Sequence, residues 1–139
     1  MRIVLDTNIV VSALRSRRGA SFKLVSLIPS GRFELSLSVP LYIEYQDVLL
    51  RTGKVPGFTK KEIIQYLQYL CSKSHYQEIF YLWRPYLKDV KDDMVLELAV
   101  ASDSQYIVTH NIRDFRGSKK FGIQGLNPQE ILKIIGEEK

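Results

Sequence analysis

The chain has 139 residues, of which 45% are hydrophobic and 25% charged, a balance that excludes a disordered tail and is long enough to bury a core without disulfide staples. No apolar run approaches the roughly 20 residues of a membrane span, and strand-like sequence starts at residue 2, so the expectation is one cytoplasmic domain over residues 1–139, with no signal peptide and no membrane contact. Lysine and arginine outnumber the acids 20 to 15, a net charge of +5 that permits a polyanionic partner without requiring one.

The run Ile3, Val4, Leu5 predicts a strand buried on both faces, with Asp6 at its carboxyl edge. In an open α/β sheet the ligand crevice lies outside that edge, so an acid there faces a site. The alternative is that Asp6 only caps the helix "TNIVVSALRS", in which Ile9, Val10, Ala13 and Leu14 recur at helical spacing and Thr7 or Asn8 is also available as N-cap. "GASFKLVSLI" predicts a second helix with Phe22, Leu24, Val25 and Ile28 inward, stopped by "PSG". "RFELSLS" alternates as a strand with Phe33, Leu35 and Leu37 on one face.

"SVPLYIEYQDVLLRTG" predicts a helix starting near Ser38, with Pro40 in its first turn and Gly53 just past its end. Glu44 lies three residues after Leu41 and four before Val48, inside the apolar stripe. A buried carboxylate is retained when something positive compensates it, either a bound cation or a lysine or arginine. "TKKEIIQYLQYLCSKS" follows as a helix with a Thr59–Glu62 capping box. Its Cys71, the only cysteine, reads as a buried thiol, and Ile63, Leu67 and Leu70 as either core or a contact surface. "YQEIF" predicts a strand before Pro85, and Trp83 and the tyrosines read as packing residues.

"KDVKDDMVLELAVASD" carries Asp89, Asp92 and Asp93 ahead of a buried helix, with Asp92 or Asp93 as its N-cap and Glu97 one turn on. "QYIVTH" predicts a strand whose end delivers Thr109, Asn111 and Asp114 to the same crevice as Asp6. "FGIQGL" is a last short strand, and "NPQEILKIIGEE" a closing helix with Asn127 as N-cap and Pro128 at its first position. The order β-α-α-β-α-α-β-α-β-β-α argues for an α/β fold, a three-layer α/β/α sandwich around a mainly parallel central sheet.

Acids converging on one crevice repel one another, so the pattern makes sense mainly with divalent cations. Oxygen ligands suit Mg²⁺ or Mn²⁺; zinc would have only His75, His110 and Cys71, without metal-ligand spacing. Basic residues gather as Arg15, Arg17 and Arg18, as Arg51 and Lys54, as Lys60 and Lys61, and as Lys119 and Lys120. They are solvated ends and loops, or the rim of an acidic site.

The ordered set "IVLDTNIVVSAL", "VPLYIEYQDVL" and "DDMVLELAVASDSQYIVTHNIRDF" resembles the PIN domain family over nearly the whole chain, most closely the VapC-like toxin components of bacterial toxin-antitoxin pairs. The resemblance implies a Mg²⁺- or Mn²⁺-dependent ribonuclease, a small cognate antitoxin as partner and a homodimer. It also implies that Asp6, Glu44, Asp93 and Asp114 are the catalytic, metal-holding acids. Asn111 stands where many relatives have an aspartate, leaving Asp114 in "NIRDF" for the fourth position. Thr7, Asn8, Thr109 and Asn111 would support the site, and Arg15, Arg17 and Arg18 would hold nucleic acid. Two other readings remain: a PIN-like RNA- or protein-binding module with an impaired metal site, and a haloacid-dehalogenase-like phosphatase, whose second acid would fall at Asn8.

Overall fold

The computed structural model describes residues 1–79, 87 and 90–136, so Phe80, Trp83, Pro85 and Asp89 lie outside the described residues. Five strands, β1 (Arg2–Leu5), β2 (Glu34–Leu37), β3 (Ser74–Tyr76), β4 (Tyr106–Val108) and β5 (Gln124–Leu126), form one sheet in the order β3-β2-β1-β4-β5. Every pairing is parallel, with Ile3 opposite both Leu35 and Tyr106, and Leu5 opposite Val108. The helices are α1 (Thr7–Arg15), α2 (Ala20–Ser26), α3 (Val39–Leu49), α4 (Lys60–Lys73), α5 (Val90–Ala101) and α6 (Pro128–Ile134). Together these make the three-layer α/β/α fold. No helix among the described residues is long and apolar enough to cross a membrane.

Parallel strands need covered faces, and the sequence supplies them. Ile3, Val4, Ile107 and Val108 are fully buried, and α5, with Val95, Leu96, Leu98 and Ala99 in the core, packs on β1, β2 and β4. The alternation in "RFELSLS" does not leave one face wet: Ser36 is as buried as Leu35 and Leu37. Its hydroxyl is satisfied by Ser104 Oγ at 3.2 Å, and Ser104 in turn meets Ser102 Oγ at 2.7 Å.

The helix starts match the capping chemistry. Ser38 Oγ accepts from the Leu41 N–H, and reciprocal capping boxes close α4 (Thr59 with Glu62) and α6 (Asn127 with Glu130). Three expectations differ. The strand expected over 76–80 is Ser74–Tyr76, directly after α4, because the short β2 fixes the register: Leu35 is opposite Ser74, and the Leu37 carbonyl takes the Gln77 N–H at 2.9 Å. Cys71 is exposed, since the core stripe of α4 is Ile63, Leu67 and Leu70 and the next residue turns outward. That stripe is therefore core and not a contact surface. Phe22 is 38% exposed, because α2 buries Ser21 and Leu24 instead.

The topology positions the site. The chain steps outward from β1 to β2 and β3, then returns to the other side of β1 with β4 and β5. The reversal falls between β1 and β4, and crevices of open α/β sheets form outside the carboxyl ends of strands at such a point. The residues that leave those two ends are Asp6 and Thr109.

Candidate active site

Asp6 is the N-cap of α1 and also the acid at the switch point; the two readings of the opening strand coexist. Its Oδ1 accepts the Thr7 backbone N–H at 2.8 Å and its Oδ2 accepts the Thr109 hydroxyl at 2.7 Å, while its own N–H donates to the Val108 carbonyl at 2.9 Å. Thr109 Oγ1 also receives the Asn111 N–H at 3.0 Å and Asn8 Nδ2 at 3.5 Å. Asn8 Oδ1 takes the His110 N–H at 3.2 Å, so Asn8 ties α1 to the end of β4. Beneath, the buried Tyr45 hydroxyl donates to the Leu5 carbonyl, which links α3 to the end of β1. Asp6 is only 8% exposed, and burial is the main cause that raises its pKa above the ordinary value. The bonds from Thr109 and Thr7 oppose that rise, the negative charge of Asp114 adds to it, and His110 lowers it.

A cleft of about 600 Å³ opens over this edge, and Asp6, Glu44, Asp92 and Asp114 all line it. Glu44 comes from the middle of α3, with its Oε1 3.6 Å from Lys91 Nζ, so the positive partner expected for a carboxylate in an apolar stripe is present. Asp114 stands in the first turn of the 3-10 segment Ile112–Phe121 that follows β4, and Asn111 and His110 line the cleft beside it.

The third acid is a correction. Asp92, not Asp93, lines the cleft. Neither caps α5, which begins at Val90 and so places both inside its first turn, about 100° apart around the axis. Asp93 turns inward, fully buried, where its Oδ1 accepts the Leu87 N–H at 2.6 Å. Glu97, one turn on from Asp93, is buried with it.

The cationic rim differs from the expectation as well. Arg15 lines the cleft, but Arg17 and Arg18 line a separate groove with residues of α2 and α6. The cleft's other cations are Arg51, Lys54 and Lys91. "RTGK" is visible in the sequence as a basic cluster, but its place at the rim depends on how the loop after α3 turns back.

The sequence profile of the PIN domain matches residues 2–113. The chain belongs to the PIN domain family. No curated protein matches it in sequence. In fold it is similar to a chain of VapBC2 from Rickettsia felis, whose crystal structure is bound to a DNA fragment from their promoter. The TM-score is 0.64 at 16% identity, over 90% of this chain and 98% of that one. Membership of the PIN family sets aside the phosphatase reading, and Asn8, where that reading would need its second acid, is engaged with Thr109 and His110. The profile match ends at Arg113, so the place of Asp114 in this PIN domain rests on its position in the cleft.

The cleft's donors suit a hard divalent cation in type: four carboxylates plus the amide of Asn111. The buried Asp6, whose pKa both burial and Asp114 raise, is the group that a positive ion would relieve. In spacing the acids stand apart: among the described residues no three His, Cys, Asp or Glu are close enough to hold a metal ion. Of the side chains concerned, Asp114 is exposed, and the Lys91 side chain beside Glu44 is 56% exposed.

Proposed function

We propose that this PIN domain is a ribonuclease that works with Mg²⁺ or Mn²⁺, and that it is the toxin of a toxin-antitoxin pair. The observation that carries the nuclease reading is the set of four carboxylates from four separate elements on one cleft at the β1/β4 switch point, rimmed by Arg15, Arg51 and Lys54. Asp6, Glu44, Asp92 and Asp114 would hold the cation. The chemistry that a bound divalent ion supplies is activation of the attacking water and neutralisation of charge on the leaving oxygen of a phosphodiester.

The chain's own residues do the rest. Thr109 and the Thr7 amide hold both Asp6 oxygens at fixed distances, so the acid needs little reorganisation when charge arrives. Asn8 and Tyr45 fix the two helices that carry the site, α1 to β4 and α3 to β1. Arg15, Arg51 and Lys54 would bind the phosphates on either side of the bond to be cut, offsetting the repulsion between RNA and an acidic floor. Ser12 Oγ, 2.9 Å from His110 Nε2, orients the His110 ring at the cleft wall, where it can meet a base or ribose. No histidine base is needed in this scheme.

The toxin role draws on the fold shared with a VapBC2 chain. By that analogy the chain has a small antitoxin as partner; a homodimer that acts in the cytoplasm is what the resemblance to VapC-like toxins implies. The second reading, a binding module without catalysis, draws on the spread of the acids and on Lys91 beside Glu44. One experiment separates the two. Purified protein is incubated with single-stranded RNA in Mg²⁺, in Mn²⁺ and in EDTA, with Asp92→Asn as control. Cleavage restricted to the metal arms and lost in the variant supports the nuclease; RNA bound but intact in every arm supports the module.

A further inference from the structure

The turn after α1, "RSRRG", serves two places at once. Arg15 lines the acidic cleft, while Arg17 and Arg18 line a second groove of about 560 Å³ between α2 and α6. All three arginines are exposed. This groove differs from the cleft in charge: Lys23 joins the two arginines and no acidic residue lines it among the described residues. The exposed side chains of Arg17 and Arg18 stand on one concavity, and an anionic occupant complements their charge. Phe22, 38% exposed on α2, adds an aromatic face, and Gln129 adds donors and acceptors at the start of α6.

We propose that this groove is a second phosphodiester-binding site, which takes the strand of single-stranded RNA that flanks the bond over the cleft. The proposal rests on the nuclease reading above and names where the rest of the substrate runs. Three features favour RNA over an acidic protein segment. Arginine forks match phosphate oxygens in pairs. The Phe22 ring offers a stacking surface of the kind single strands use. The groove also lies close to the cleft along the chain: Arg15 and Arg18 are three residues apart, so their Cα atoms are separated by at most about 11 Å, a span of a few nucleotides. One strand can therefore lie on Arg15 at the cleft and on Arg17 and Arg18 beyond it.

The test is RNA binding as a function of KCl concentration in EDTA, using full-length protein carrying Asp6→Asn so that the strand stays intact. A fluorescent oligoribonucleotide of about 16 nucleotides is the probe. The Arg17→Ala/Arg18→Ala pair is expected to lower affinity about tenfold or more and to flatten the slope of log K against log salt by about 1.4, two phosphate contacts at about 0.7 each for a single strand. Arg17→Lys/Arg18→Lys should restore most of the slope. Phe22→Ala should weaken binding about fivefold or more with the slope unchanged. Thermal melts of each variant check that it is folded. An unchanged slope in the double alanine variant, with RNA still bound, overturns the groove and leaves the nuclease reading standing. RNA that fails to bind the parent protein overturns both. If the double variant loses binding to polyglutamate but not to RNA, the groove is a protein site and the proposal is wrong.

Discussion

Asp6→Asn separates the structural and the chemical roles of the acid at the switch point. An asparagine can keep the Thr7 N–H on its carbonyl oxygen, and its amide can donate to the Thr109 hydroxyl if that hydroxyl rotates. The exchange costs roughly one hydrogen bond, about 1 kcal/mol. Against that, the variant no longer buries a charge beside Asp114. The two effects nearly cancel, so at pH about 7 the melting temperature should move by no more than about 4 °C for a chain of this size. The pH dependence carries a sign. A carboxyl whose folded pKa is raised contributes stability that is fully present below its ordinary value of 3.8 and is lost as pH rises through the folded value. Parent minus variant stability should therefore fall as pH increases from about 3.5 to 7 without divalent ions. Metal-dependent RNA cleavage should disappear in the variant. Melts across that range and a cleavage assay check both halves. A drop of more than about 8 °C at neutral pH, or a parent advantage that grows with pH, would refute the reasoning, because Asp6 would then be held charged as a helix cap.

The neighbouring acids on α5 should behave oppositely. Asp93→Ala removes the acceptor of the Leu87 amide from a fully buried site and should cost about 1–3 kcal/mol by denaturant unfolding, whereas Asp92→Asn should cost less than that and weaken Mn²⁺ binding, as read by electron spin resonance. Lys91→Met takes away the ammonium that competes for Glu44; with that lysine half exposed the pair is worth under about 1 kcal/mol, so Mn²⁺ affinity should rise by no more than about fivefold. Cys71 should react stoichiometrically with a thiol reagent in the folded protein, with no change in melting temperature.

The element order was legible in the sequence because its signals are local. β-branched residues mark β1 and β4, Ser38, Thr59 and Asn127 mark helix starts through their own side chains, and Pro and Gly punctuate the turns. Asp6 and Glu44 could be found in the same way, one at the end of a strand and the other inside an apolar stripe. What the sequence left open depends on rotation and on long-range register. Asp92 and Asp93 are adjacent, and only where α5 begins decides which one faces the cleft. The "RSRRG" turn is one cluster in the sequence and two surfaces in space. Cys71 sits next to Leu70, and a single residue of helical rotation takes it from core to solvent. In the 3-10 segment Ile112–Phe121, which carries Asp114, the large apolar residues Ile112, Phe115 and Phe121 fall at multiples of three, but only Phe115 of them is buried. Its buried Phe115 and Ser118 are fixed by contacts with β5 and α5.

The central claim is that the carboxylates of the β1/β4 cleft gather on a divalent cation. Crystals soaked in Mn²⁺ and measured at the manganese absorption edge test it most directly. The account predicts an anomalous peak within ligand distance of an Asp6 oxygen and of Asp92 or Asp114, with Glu44 released from Lys91. A peak at Asp93, or none in the cleft while the Lys91–Glu44 pair stays closed, would contradict it.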